Sequence, residues 1–196
     1  MVIDELNKRH IIVASRSPRR QELLRDLGLS FEVVVKDWSE EFPPHLKSEE
    51  VALHVAVKKA ETFKSEIKEN DIVITADTVV WCNNRILGKP EDKEDARMIL
   101  REISGNTHVV ITGVCILSAS RQTSFFSKTK VTFSDLSDEE IEYYIWNFRP
   151  YDKAGAYGIQ EWIGLAACTS IEGSYFNVMG LPVEQVYHEL QKFILK

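Results

Sequence analysis

The chain has 196 residues, 44% of them hydrophobic and 28% charged, an ordinary globular balance with enough length to bury a core. Lys and Arg total 24 against 30 Asp and Glu, a net charge of −6, which argues against general nucleic-acid binding and at first sight against any polyanionic ligand. No uncharged apolar run approaches the roughly 18 residues of a membrane span, and the three scattered cysteines (Cys82, Cys115, Cys168) form no CxxC pair, so zinc and a disulfide framework give way to reduced thiols in a cytoplasmic protein.

In chain order, the first ten residues are polar, mixed in charge and unlike a secretory leader, and are expected to be peripheral. His10 to Ala14 predicts a short buried strand. Ser17-Pro18 fits an N-cap and a first-turn proline, opening a helix to about Leu27 that Gly28 closes. Phe31 to Val35 predicts a second strand, and Ser48 to about Ile67 a long helix. Asp71 to Thr75 predicts a third buried strand; Thr78 to Trp81 and Arg85 to Leu87, joined by Asn83-Asn84, predict a separate hairpin.

Asp92 to Ile103 predicts a helix closed by Gly105, and Thr107 to Leu117 with Thr123 to Phe133 a second hairpin. Ser137 to Glu140 is a capping box opening a helix to about Phe148, which Arg149-Pro150 stops. Ala154 to Gln160 is expected to be a Gly-rich loop, and Leu181-Pro182 opens a final helix. Helix-linked strands mixed with hairpins predict a mixed α/β fold rather than a pure doubly wound sheet.

Four places break local rules. Ser15-Arg16-Ser17-Pro18-Arg19-Arg20 puts arginines in a helix's first turn, which is unfavourable without an anion and well suited to one; a solvated basic turn is the plainer alternative. Lys59 interrupts the stripe Val51, Val55, Phe63, Ile67, either snorkelling to water or held for chemistry. Asp77 lies between two apolar runs and needs a cation, a metal or a proton if buried; otherwise it is a turn residue. Leu87-Gly88-Lys89-Pro90 and Asp152 to Gln160 combine lysines with glycines that permit close backbone approach. Gly88-Lys89 is followed by proline, which excludes a Walker A loop, and GxGxxG, GxSxG and HExxH are absent. His54 and His108 are read as structural.

From about Ile11 to Phe193 the chain resembles the Maf-like nucleoside triphosphate pyrophosphatases. The matching motifs are Ala14 to Arg20, Lys59-Ala60, Ala76-Asp77-Thr78, Leu87 to Pro90, Ser104-Gly105, Asp152 to Gln160 and Val178 to Pro182. The resemblance implies a mixed α/β fold of the inosine-triphosphatase-like type: one domain over residues 1–196, an elongated mixed sheet flanked by helices, and two lobes with a central cleft, residues 195–196 being peripheral. It also implies cleavage of a nucleoside triphosphate to monophosphate and pyrophosphate with a divalent cation, Mg²⁺ or Mn²⁺.

Arg19, Thr78 and Gln160 match the branch acting on dTTP and UTP and would read the base. Asp77 would be the catalytic base and a metal ligand, with Glu40, or its neighbour Glu41, as the second carboxylate. Ser15, Arg19, Arg20, Lys59, Lys89 and Lys153 would hold the phosphates. The implied partner is the nucleotide, with no nucleic acid or membrane; a homodimer stays open. The competing expectations are a 7-methyl-GTP-type pyrophosphatase of the same fold and a non-catalytic nucleotide-binding regulator of septum formation. A local basic funnel resolves the conflict with the net charge, since a small cationic site can oppose the global sign.

Overall fold

The structure is a computed structural model that describes residues 1–37 and 42–194. Its strands form a seven-stranded mixed sheet of order β2-β1-β3-β5-β6-β7, with β4 paired to β3, flanked by helices. The elements are α1 (Val2–Leu6), β1 (His10–Val13), α2 (Pro18–Asp26), β2 (Glu32–Val33), α3 (Glu49–Glu61), β3 (Asp71–Cys82), β4 (Arg85–Leu87), α4 (Lys93–Ile103), β5 (Thr107–Ser118), β6 (Gln122–Phe133), α5 (Asp138–Phe148), α6 (Trp162–Ala166), β7 (Cys168–Glu172), α7 (Tyr175–Met179) and α8 (Val183–Ile194). The chain divides into two compact units, residues 1–77, 112–127 and 180–196 in the first and 78–111 and 128–179 in the second.

In the first unit β1 is parallel to both β2 and β3, with Ile12 opposite Val73 and Val13 opposite Ile74. This parallel core is apolar on both faces, as the run Ile11-Ile12-Val13 requires. Helix α3 lies on it through Ala56, Ala60 and Phe63, packed with Ile12, Val73, Cys115 and Leu117. The approach is close: a Cβ at Gly113 of β5 would stand 2.4 Å from the Ala52 carbonyl of α3. The Thr75 hydroxyl donates to the Ala56 carbonyl at 2.6 Å, tying β3 to α3 at that point. Helix α2 starts as its sequence dictates, with the Ser17 hydroxyl accepting from the Arg20 amide.

The second unit surrounds a larger core in which α4, α5 and the 150–167 segment bury Leu100, Ile103, Tyr144, Tyr157 and Ile163. The Ser137–Glu140 capping box forms in both directions. Asp92 caps α4 by accepting from the Asp95 amide at 2.9 Å. His108 is fully buried, with Nε2 2.7 Å from the Tyr157 hydroxyl. Desolvation pushes its pKa down to about 4, so the imidazole is neutral.

Several expectations are corrected. The amino-terminal segment is not peripheral: it forms α1, buries Leu6 completely and packs on α8. Helix α3 ends at Glu61 rather than Ile67, where Thr62 turns its hydroxyl onto the Lys59 carbonyl and tight turns follow. Strand β2 shrinks to two residues on the sheet edge. Asp71 to Cys82 is one unbroken strand, not a strand followed by a hairpin arm, so Asp77 is no turn residue. Asn83 and Asn84 take positive φ and turn β3 into β4 as expected. The 154–160 stretch is largely buried and begins with a short 3₁₀ turn, Ala154–Ala156. Helices α6 and α7 and strand β7 were not anticipated; each is five residues long, too short for periodicity to register. Residues 195–196 lie outside the described residues.

Candidate active site

In the first unit, Asp77 sits mid-strand on β3 with its side chain 24% exposed. The polypeptide stays extended there because the carboxylate has a partner: Lys59 Nζ lies 2.8 Å from Asp77 Oδ1. The ammonium also donates to the Ala76 carbonyl at 3.3 Å. The Ala56 and Thr75 contact one helical turn earlier sets the depth of α3, and the lysine stem reaches the acid across it. With Lys59 only 16% exposed, the ammonium does not snorkel to bulk water; it turns inward to the strand.

Arg20, from the first turn of α2, reaches the same strand. Its Nη1 donates to the Ala76 carbonyl at 3.0 Å and to Ser15 Oγ at 3.4 Å, and its Nε to the Gly180 carbonyl at 2.8 Å. Burial pushes the guanidinium pKa down, and Arg19 beside it adds to this, while the Asp77 charge opposes both. Ser15 Oγ also accepts the Ser17 amide at 3.2 Å. Arg20 and Lys59 therefore converge on the Ala76–Asp77 peptide, and Ser15, 62 positions before Asp77, joins the cluster through Arg20. Arg19 is half-buried on α2 and Arg16 is exposed. The cluster carries two cations for one carboxylate at the start of a helix, a field that favours anionic oxygens.

In the second unit, Thr78 follows Asp77 and is half-buried, while Lys89 is exposed in the turn after β4. The Gly155 amide donates to the Gly88 carbonyl at 3.0 Å, drawing together the two Gly-containing segments picked out in the sequence. Gly155 has φ +72°, and a Cβ on it would strike Val80 at 2.8 Å, so glycine is required twice over. Lys153 is buried, with its ammonium 2.7 Å from Asp152 and 3.2 Å from Glu161. Gln160 is exposed at the end of the segment.

Glu40, and Glu41 beside it, lie outside the described residues. Among the described residues no group of three or more His, Cys, Asp and Glu side chains is arranged to hold a metal ion. Asp77 is the one carboxylate in the first-unit cluster among the described residues. One carboxylate supplemented by substrate phosphate and water is a common way to hold Mg²⁺, so the residues are compatible with a cation that arrives with the nucleotide.

Sequence reasoning missed Tyr144 and Glu161. The Tyr144 hydroxyl donates to Glu161 and accepts the Gly158 amide at 2.9 Å. The only signal was an acidic residue directly after Gln160 with no cation at helical spacing; Tyr144 reads as one more apolar position of α5.

The family described as Maf-like protein matches residues 10–193. The chain is 52% identical over 194 residues to the dTTP/UTP pyrophosphatase of Flavobacterium johnsoniae, covering 99% of this chain and 100% of that one. It is 50% identical over 192 residues to the dTTP/UTP pyrophosphatase of Phocaeicola vulgatus, covering 97% and 100%. Among solved structures it is similar to the Ham1 protein of Staphylococcus aureus at 15% identity and a TM-score of 0.43, covering 64% of this chain and 72% of that chain.

Proposed function

The chain belongs to the Maf-like protein family, and from that premise we propose that it is a nucleoside triphosphate pyrophosphatase that hydrolyses dTTP and UTP to the monophosphate and pyrophosphate. Relatives at about half identity and near-full coverage bear that activity in their names. The observation that carries the proposal is the Lys59–Asp77 pair at 2.8 Å in the middle of a buried strand.

Phosphoryl transfer asks a protein mainly to position reactants and neutralise charge. In the proposed reaction a water oxygen bonds to the α phosphorus and the bond from that phosphorus to the α–β bridging oxygen breaks. Asp77 accepts the proton the water loses. Lys59 holds the carboxylate through Oδ1 at 2.8 Å and so fixes its orientation. Pyrophosphate leaves with the bridging oxygen, its charge met by cations. Ser15, Arg19, Arg20, Lys59, Lys89 and Lys153 are assigned to phosphate oxygens. Arg20 acts in part through the Ala76 peptide it already binds.

A divalent cation, Mg²⁺ or Mn²⁺, held by Asp77 and by Glu40 or Glu41, would supply further charge neutralisation on the phosphates. Arg19, Thr78 and Gln160 are assigned to the base. A glutamine amide offers one donor face and one acceptor face, which suits the edge of uracil or thymine. Free thiols at Cys82, Cys115 and Cys168 support a reducing, cytoplasmic setting.

The test is pyrophosphate release from a panel of UTP, dTTP, CTP, GTP and 7-methyl-GTP with Mg²⁺ or Mn²⁺. Turnover ranked with UTP and dTTP first supports the proposal. A ranking led by 7-methyl-GTP, or tight binding with no product, refutes it.

A further inference from the structure

Helix α6 begins in an unusual way. Glu161 occupies its N-cap position, where a carboxylate normally accepts amides of the first turn, yet its side chain makes no cap bond. The carboxylate turns away instead. One oxygen accepts from the Tyr144 hydroxyl, and the other stands 3.2 Å from Lys153 Nζ. The Glu161 amide donates to the Gly158 carbonyl at 3.0 Å, closing a turn over Ile159 and Gln160.

The same phenol oxygen accepts the Gly158 amide at 2.9 Å. One atom thus grips both ends of the turn. A Cβ at Gly158 would meet the Glu161 carboxyl carbon and Gln160 Nε2 at 2.9 Å each, so the carboxylate and the amide fold back over the glycine. Tyr144 itself is fully buried and stacked on Phe148, ring centroids 5.0 Å apart, which leaves it little freedom. Burial and the neighbouring Glu161 carboxylate push its phenol pKa far up, so it stays a proton donor at any working pH. Beyond the turn, Ile159 is buried and Gln160 exposed.

We propose that Tyr144 and Glu161 are positioning residues for base selection: the phenol fixes the 158–161 turn so that the Gln160 amide is presented in one orientation, and the Glu161 carboxylate fixes the Lys153 ammonium at the same time. The proposal rests on the assignment of Gln160 to the pyrimidine base. It adds two residues that touch no substrate and act through Gln160 and Lys153. A free glutamine side chain presents donor and acceptor interchangeably and discriminates poorly between uracil and cytosine, whose edges exchange those roles. A fixed one discriminates.

Tyr144→Phe removes the oxygen and keeps the stacked ring. Glu161→Ala removes the acceptor and the ion pair from a partly exposed site. Glu161→Gln keeps a carbonyl oxygen for Tyr144 but loses the charge beside Lys153. The measurement is kcat/KM for UTP and CTP on wild type and all three variants, with thermal midpoints alongside. Tyr144→Phe and Glu161→Ala are expected to lower the UTP-to-CTP ratio about tenfold, the scale of one hydrogen bond lost from a recognition set. Glu161→Gln is expected to restore the ratio while raising KM several-fold for both nucleotides alike.

A loss of stability alone does not move a ratio of two substrates on one enzyme, so a changed ratio with rescue by Glu161→Gln separates positioning from structural damage. A wild-type ratio in both Tyr144→Phe and Glu161→Ala overturns the proposal; if Tyr144→Phe does not fold, Glu161→Ala decides alone. Wild-type protein that releases no pyrophosphate from UTP overturns the underlying assignment instead, and the two failures are distinct.

Discussion

Lys59 and Asp77 lie 18 positions apart in the chain and meet at 2.8 Å, and their meeting lets β3 run unbroken through a carboxylate. An unpaired acid at that depth would have ended the strand or needed a proton. The pair joins fold and chemistry: the cation that makes the acid tolerable also orients it.

Asp77→Asn keeps the shape and the hydrogen bond to Lys59 but removes the base. It is expected to lower kcat by about 10³-fold, the usual scale for a general base, with the far-ultraviolet circular dichroism and the thermal midpoint near wild type. Steady-state pyrophosphate release alongside a thermal melt checks both parts. A variant retaining more than a tenth of the activity contradicts the role.

Lys59→Met removes the cation hydrogen-bonded to Asp77 and takes a cation from the phosphate site. A fall of about 10²-fold or more in kcat/KM is expected. Lys59→Arg should recover little of it, because a planar fork on a longer stem does not place a point charge on the same carboxylate oxygen.

Arg20 binds two backbone carbonyls, Ala76 and Gly180, that lie 104 positions apart. Arg20→Met strands both and costs roughly 2–4 kcal/mol of stability on the scale of buried unsatisfied polar groups. Urea denaturation measures it; a change under about 0.5 kcal/mol would show that the carbonyls find other partners.

His108 supplies a pH dependence of folding. Its pKa is pushed from 6.5 to about 4 by burial, so between those values the unfolded chain binds a proton that the folded chain does not. The His108 contribution to stability is therefore complete above pH 6.5 and is lost as the pH drops towards 4, by up to about 3 kcal/mol. His10, between Asp71 and Glu32, is shifted upward, so its contribution is complete below pH 6.5 and is lost above it, outside that window. His108→Gln should flatten the acid side of the profile, read from unfolding free energies at pH 7 and pH 5. An unchanged slope rules out His108 as its source.

Much of the first unit was legible in the sequence because its signals are local. The run Ile11-Ile12-Val13 gave β1, Ser17-Pro18 gave the start of α2, and Lys59 on an apolar stripe together with Asp77 between apolar runs marked the cluster. What they do to each other was not legible, because the Lys59–Asp77 distance depends on how deeply Ala56 and Gly113 let α3 sink onto the sheet. The same holds for Arg20: its basic first turn suggested an anion, and its bonds to Ala76 and Gly180 emerge only in three dimensions. The 154–179 region was read least well. Its elements are short, and tertiary bonds such as Tyr144 to Gly158 and His108 to Tyr157 hold them more than helix or strand periodicity does.

The most direct test of the proposed reaction is hydrolysis of UTP in water enriched in oxygen-18, with the products separated and weighed by mass spectrometry. Attack of water on the α phosphorus places one labelled oxygen in UMP and leaves pyrophosphate unlabelled. Label in pyrophosphate, or UDP and inorganic phosphate as products, would contradict the account.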